Sequence, residues 1–263
     1  MKIHIAIITI LSAATAIADT LIFSDDFSTQ RPEWTFSINM GYIGMPTPQG
    51  NLTQSMINDA LAGSFANVSG GTLNLKANST IGRDWGVSAA TLSLQLPTDF
   101  RITYTSTKTQ WAGGHAFELL ESDPTAAVGY PYQENGRFLR YEVAGFNALD
   151  LSYEPDHGTL PSQVLDTPNH GNNNVGQTYS YEITKTGNNL QVFRDGSLQY
   201  DYSGAIPLDF MNHIRFINHQ AGATSLVDNL SVFSVPEPSS FALLGSAIAF
   251  FSLRRASRRN RTA

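Results

Sequence analysis

Residues 100–108 read Phe-Arg-Ile-Thr-Tyr-Thr-Ser-Thr-Lys, which puts Ile102 and Tyr104 on one face of an extended chain and threonines on the other. This period-two alternation, rich in β-branched and aromatic residues, describes a half-buried strand and fits no helix. It recurs at 72–76 and 90–96, bounded by Gly, Asn, Asp and Pro, and no stretch keeps helical spacing for more than about two turns. Strands that are apolar on one face must bury it against another sheet. Without crossover helices, the solution is an all-β, antiparallel two-sheet sandwich.

The remaining strands follow the same signals. A first strand at 21–23 runs into Asp25-Asp26-Phe27. A loop rich in Pro, Gly and Asn follows over 31–63, with one short helix at 52–61. Strands are predicted at 115–120 and 137–143, separated by a loop at 123–136. A second polar loop, at 154–176, is read as mobile. The clearest unit is a meander of 179–185, 190–194 and 197–202, with turns at 187–189 and at Asp195-Gly196. Strands at 213–218 and 226–235 complete a set of ten to twelve. No internal repeat is visible, so one domain is expected. The chain has no cysteine, which removes a disulfide framework, a thiol nucleophile and a cysteine zinc site together and leaves the fold to rest on its core.

Both ends carry different chemistry. Lys2 precedes an apolar run at 3–11, and Ala16-Ile17-Ala18 supplies the small residues a signal peptidase needs, so residues 1–18 read as a secretory signal cut after Ala18. At the other end stands Val235-Pro236-Glu237-Pro238, whose prolines stop a strand and hold Glu237 extended and accessible. The uncharged run 241–253 has 13 residues, fewer than the roughly 20 of a comfortable membrane-crossing helix. Arg254, Arg255, Arg258, Arg259 and Arg261 then hold the C-terminus on the cytoplasmic side. Removing both ends takes six basic residues and no acidic one, so residues 19–238 hold ten basic against 22 acidic side chains, a balance of −12. That argues against nucleic acid and an anionic membrane surface as partners of the domain, since both reward clustered Lys and Arg.

The order Val-Pro-Glu-Pro, short apolar helix, arginine cluster resembles the PEP-CTERM sorting signal of exopolysaccharide-producing Gram-negative bacteria. The resemblance implies recognition of Pro236-Glu237-Pro238 by an exosortase, an integral-membrane cysteine transpeptidase, and removal of the helix and arginines. It implies an inner-membrane intermediate held by residues 241–253, then delivery to the cell surface or extracellular matrix. The domains are accordingly 1–18, 19–234 and 235–263.

The meander at 181–198, with Asp25-Asp26-Phe27 near the start and Val227-Asp228-Asn229-Leu230-Ser231-Val232 near the end, resembles laminin-G-like and concanavalin A-like jelly rolls, in which the two terminal strands pair. Such pairing brings Asp25, Asp26 and Asp228 together, hard oxygen donors of the kind that suit a structural Ca²⁺; the competing account has them ending a strand and making turn contacts. No other cofactor is expected. Laminarinase-like hydrolases of this fold carry Glu-x-Asp-x-x-Glu on one strand. That pattern is absent here. The nearest approach is Glu118-Leu-Leu-Glu121-Ser-Asp123, which splits Glu118 and Glu121 between opposite faces and reads as a solvated strand end. Neither Gly-x-Ser-x-Gly nor His-Glu-x-x-His occurs, so no enzymatic activity is expected.

His115, His157, His170, His213 and His219 lack ligand spacing, and the last two would stand about 20 Å apart on one strand at ~3.3 Å per residue; all read as surface or hydrogen-bonded histidines. Trp85, Trp111, Tyr130 and Tyr132, with Trp34 and Tyr153 beside them, are candidate platforms for stacking sugar rings, against the alternative that they fill the core. The sequence therefore describes an exported, exosortase-processed surface or matrix protein whose non-catalytic sandwich binds exopolysaccharide; the alternative is a glycoside hydrolase or polysaccharide lyase of concanavalin A-like fold.

Overall fold

A computed structural model describes residues 18–40, 46–47, 50–51, 53–77, 86–110, 114–121, 137–144, 151–154, 163–166, 173–204, 208–209, 211, 213–219 and 224–236. Its elements in chain order are β1 (Thr20–Asp25), β2 (Trp34–Met40), β3 (Pro46–Thr47), β4 (Gly50–Asn51), α1 (Gln54–Ala62), β5 (Phe65–Ser69), β6 (Thr72–Lys76), β7 (Gly86–Leu92) and β8 (Phe100–Lys108). These are followed by β9 (Gly114–Leu120), β10 (Phe138–Ala144), β11 (Leu151–Glu154), β12 (Gln163–Asp166), β13 (Thr178–Thr186), β14 (Asn189–Arg194), β15 (Ser197–Tyr202), β16 (His213–His219) and β17 (Thr224–Ser234).

Two antiparallel sheets make the sandwich. One has the order β15-β14-β13-β8-β17-β6-β5, with β1 also on β17, and the other β12-β11-β10-β9-β16-β7-β2; β3 and β4 form a small ribbon. Strand β17 is the keystone, because β8 pairs along one edge and both β6 and β1 along the other. Thr20 stands opposite Ser234, so the terminal strands pair as the jelly-roll resemblance implied. Between Asp228 and Ser231 the register with β8 shifts, and Asn229 takes a left-handed φ of 54° in this bulge. The meander is as its sequence reads. Asp195 (φ 50°) and Gly196 (φ 75°) both adopt the left-handed conformation that matches a two-residue turn to strand twist.

The faces that meet carry the apolar halves of each alternation. Ile102 and Tyr104 of β8 and Tyr181 and Ile183 of β13 meet Phe117 and Leu119 of β9 and Ile214 and Phe216 of β16 in one core cluster. The rings interlock: Tyr104 stacks on Tyr181 at 5.1 Å and on Phe117 at 5.6 Å, and Phe216 sits edge-on to Tyr104 at 5.0 Å. At one stretch of the interior the layer turns polar. There Ser106 meets His115 at 3.1 Å, and Asn218 donates to Ser225 at 2.6 Å. The Tyr104 hydroxyl is buried with no hydrogen-bond partner among the described residues. Replacing Tyr104 by Phe removes that desolvated group and keeps the ring stack, so it is expected to stabilise the protein by about 1 kcal/mol, read as a raised melting temperature; a fall would show that the hydroxyl has a partner.

The structure corrects several boundaries. β2 lies inside the predicted 31–63 loop, and β12 inside the predicted mobile loop; β11 just precedes it. The predicted 90–96 strand is β7, which runs from 86 to 92. Leu94 and Leu96 continue the alternation as anchors packed on the core without a ladder, after Ser93 N–H turns to the Glu33 carbonyl at 2.9 Å. α1 forms close to its predicted place, with the Thr53 hydroxyl accepting from Met56 N–H at its start.

Candidate functional site

The closing strand ends at Ser234, and Val235 and Pro236 follow it directly. The junction has no linker. Thr20 is paired with Ser234, so the first and last residues of the sandwich lie side by side. Ala18 is exposed. Ala16, Glu237, Pro238, the apolar run 241–253 and the five C-terminal arginines lie outside the described residues. Among the described residues no helix is long and apolar enough to cross a membrane.

On the seven-stranded sheet, Glu118, Arg140 and Arg215 alternate with the core residues and so share the face turned away from the interior. The register sets them side by side: Arg140 opposite Glu118 on one edge of β9, Arg215 opposite Glu118 on the other. Arg140 Nε donates to Glu118 Oε1 at 2.7 Å, and Arg215 Nε donates to Oε2. Glu118 and Arg215 have no exposed side-chain surface. The neighbouring row on this face, Ala89, Ala116 and Ile217, is equally buried. The centre of this face is closed to solvent. Glu118 is therefore no solvated strand end; burial pushes its carboxyl up, and the guanidiniums of Arg215 and Arg140 outweigh that and hold it below the usual carboxylate range. A carboxylate held ionised between two cations has no proton to give. Glu121, one residue past the strand, is engaged separately by the forked Arg137 guanidinium at 2.8 and 3.1 Å.

A third arrangement lies where β1 leaves β17. A hollow of about 400 Å³ is lined by Asp25, Asp26, Ser28, Arg31 and Asn229 among others. The pairing brings Asp25 and Asp26 to the bulge, where both oxygens of Asp25 and one oxygen each of Asp26 and Asp228 accept hydrogen bonds from the protein. Asp25 accepts from Phe27 N–H at 2.8 Å and from the Trp34 indole at 2.7 Å, Asp26 from Ser28 N–H at 3.0 Å, and Asp228 from Asn229 N–H at 2.7 Å. Arg31 stands beside them, held protonated first by its hydrogen bond to Glu33 and further by the charges of Asp25 and Asp26. Among the described residues no three His, Asp or Glu side chains gather as a metal set. The Arg31 guanidinium adds a positive charge beside these oxygens, which opposes a cation there. An unchanged melting temperature on adding EGTA is the expected result, because an ion bound only by the folded state must stabilise it; a fall would show that the folded protein binds calcium.

Of the proposed sugar platforms, Trp85, Trp111, Tyr130 and Tyr132 lie outside the described residues. Trp34 and Tyr153 are core residues, 5% and 7% exposed, and stack no ligand. Sequence reasoning missed the Glu118 ion triad, whose members are 22 and 97 residues apart and meet only through strand register.

Residues 234–259 match the model of the PEP-CTERM protein-sorting motif. No curated protein matches the chain by sequence. Among solved structures, the carbohydrate recognition domain of Emp47p is similar at 13% identity, with 82% of this chain and 98% of that one covered and a TM-score of 0.55. A structure from work on endo-acting O-glycanases expressed by members of the human gut microbiota to initiate mucin breakdown is similar at 12% identity, covering 82% and 100%, with a TM-score of 0.53. LamAcat from Zobellia galactanivorans is similar at 14%, covering 82% and 98%, with a TM-score of 0.51. At such identities the likeness is one of fold. The chain thus carries a PEP-CTERM protein-sorting motif at its C-terminus, set directly behind an all-β, concanavalin A-like jelly-roll sandwich.

Proposed function

We propose that this is an exported surface or matrix protein, trimmed by signal peptidase at Ala18 and by an exosortase at Pro236-Glu237-Pro238, whose sandwich is a non-catalytic glycan-binding module. The observation that carries the delivery half is the absence of a linker: the sorting motif begins at the last residue of β17, so trimming leaves a complete sandwich and little else. The cut does not touch the ladder. Support for glycan binding comes from neighbours of the same fold described as a carbohydrate recognition domain and as glycanases. Support for a non-catalytic role comes from Glu118, the strand carboxylate nearest to a hydrolase pattern, which is sealed and neutralised by two arginines. The polysaccharides of the organism's own matrix are the natural partners of such a module.

Two assays on the purified protein test this. Incubation with a polysaccharide panel is expected to release no reducing sugar, and a glycan array is expected to show binding. Release of reducing ends would establish the hydrolase or lyase alternative and overturn the reading of Glu118.

A further inference from the structure

The face of the eight-stranded sheet turned away from the core carries a hollow of about 520 Å³, within the roughly 300–1,000 Å³ of small-ligand sites. Its floor is a patch of hydroxyls, Thr103 and Thr105 of β8 and Ser180 of β13, beside the Glu182 carboxylate. One wall is the β14–β15 turn with Phe193, and the other is the β17 bulge with Asn229. Both walls are tied down. Asp195 closes the turn onto Ser180, its carboxylate accepting from Ser180 N–H at 2.9 Å while its own N–H donates to the Ser180 carbonyl at 2.8 Å. Across the floor the Thr105 hydroxyl donates to the Asp228 carbonyl at 3.2 Å, and Asp228 holds Asn229 N–H at 2.7 Å. From β14 to β17 the hollow spans three strand spacings, roughly 14 Å at about 4.8 Å each. Asn229 also lines the hollow at the end of β1, so the two adjoin.

The chemistry of the lining selects among ligands. No lysine or arginine lines it among the described residues, and the Arg101 guanidinium lies over the Phe233 ring at 4.2 Å and faces Glu182 at 3.5 Å. Every described arginine holds a carboxylate or an amide, and Lys108 and Lys185 are buried. An anionic ligand would find no cation in the lining to pair with, because the guanidinium of Arg101 beside it is already engaged by Glu182. A strand-forming peptide finds no edge here, because β8 and β13 bond each other through Thr103–Glu182 and Thr105–Ser180. What remains matched is a neutral sugar: a carboxylate to accept from adjacent ring hydroxyls, an amide and hydroxyls to bond them, and the half-buried Phe193 ring for the apolar face of a pyranose.

We propose that this outer-sheet groove binds a neutral oligosaccharide, with Phe193 as the stacking ring and Glu182 and Asn229 as the polar clamps. The proposal rests on the glycan-binding reading above and assigns it a place and a ligand charge. It also moves the site off the seven-stranded face, whose centre is closed.

The test is calorimetric titration of the purified protein and its Phe193→Ala and Glu182→Gln variants with cellohexaose, laminarihexaose, mannohexaose and, as the anionic comparison, hexagalacturonate. Both side chains are partly exposed on a sheet face, and unchanged melting temperatures establish that the variants fold. At least one neutral hexaose is expected to bind, with affinity reduced tenfold or more in each variant, and the uronate more weakly than that hexaose. Neutral binding that survives both substitutions overturns the groove and leaves the glycan-binding reading standing. Tighter binding of the uronate overturns the neutral-ligand assignment. No binding by any of the four overturns the groove and the glycan-binding reading together.

Discussion

Replacing Glu118 by Ala is expected to cost about 3–5 kcal/mol, the loss typical of removing one member of a buried charge set and leaving the others uncompensated. Arg215 has no exposed side-chain surface and Arg140 has 11%, so two positive charges would face each other in the closed centre of the seven-stranded face. A domain of ordinary stability has about 5–15 kcal/mol in all. Denaturant unfolding of the variant should therefore show a midpoint far below that of the parent, or no cooperative transition at all. A loss under about 1 kcal/mol would mean that the triad is solvated and behaves as a surface pair. The same group sets an acid dependence. The Glu118 carboxyl is depressed in the folded state, so its stabilisation is complete above the unfolded carboxylate value of about 4.3 and is lost as pH falls through the lower folded value. Stability of the parent should decline with acid below about pH 5, and the decline should be shallower in Glu118→Gln, which cannot titrate there.

Replacing the five arginines 254, 255, 258, 259 and 261 by Gln should redirect the protein completely. Thirteen apolar residues are too few to fix a membrane orientation firmly, so the stop depends on the cationic end. Without it, full-length uncleaved protein is expected in the periplasm, since Pro236-Glu237-Pro238 is no longer held at the membrane where an embedded transpeptidase reaches it. Glu237→Ala acts on the cut alone and should leave a membrane-bound, unprocessed chain. A short epitope in the exposed Gly70-Gly71 turn between β5 and β6, away from both ends, allows the two fates to be separated by fractionation and blotting. If both variants are cleaved as the parent is, residues 235–261 are not read as a sorting signal.

The parts of the fold legible in sequence are those whose strands lie between others and whose turns are chemically specified. β8 and β13 alternate without fault because each is paired on both sides and buried on one face, and Asp195-Gly196 demands the left-handed turn that joins β14 to β15. β2, β11 and β12 escape the sequence reading because they lie at or near sheet edges beside proline and glycine that read as loop, and in β2 half-exposed positions also blur the alternation. Alternation assigned Glu118 a face but said nothing of whether that face is open; its partners come from β10 and β16, and only register brings them together. Trp34 likewise stands in the sequence as a candidate platform or a core residue, and only the fold shows its indole bound to a carboxylate nine residues earlier, across the loop from β1. The sorting motif was legible in full because it is contiguous. The outer-sheet groove was not, since its floor and walls come from four separate segments between Thr103 and Asn229.

Mass spectrometry of the protein recovered from the medium tests the central claim most directly. The account predicts a chain that begins at Asp19, next to the paired Thr20, and ends within Pro236-Glu237-Pro238, just past the last residue of β17. An extracellular chain that still carries residues 254–261 would contradict it, and would make the C-terminal segment a plain anchor instead of a signal that is removed.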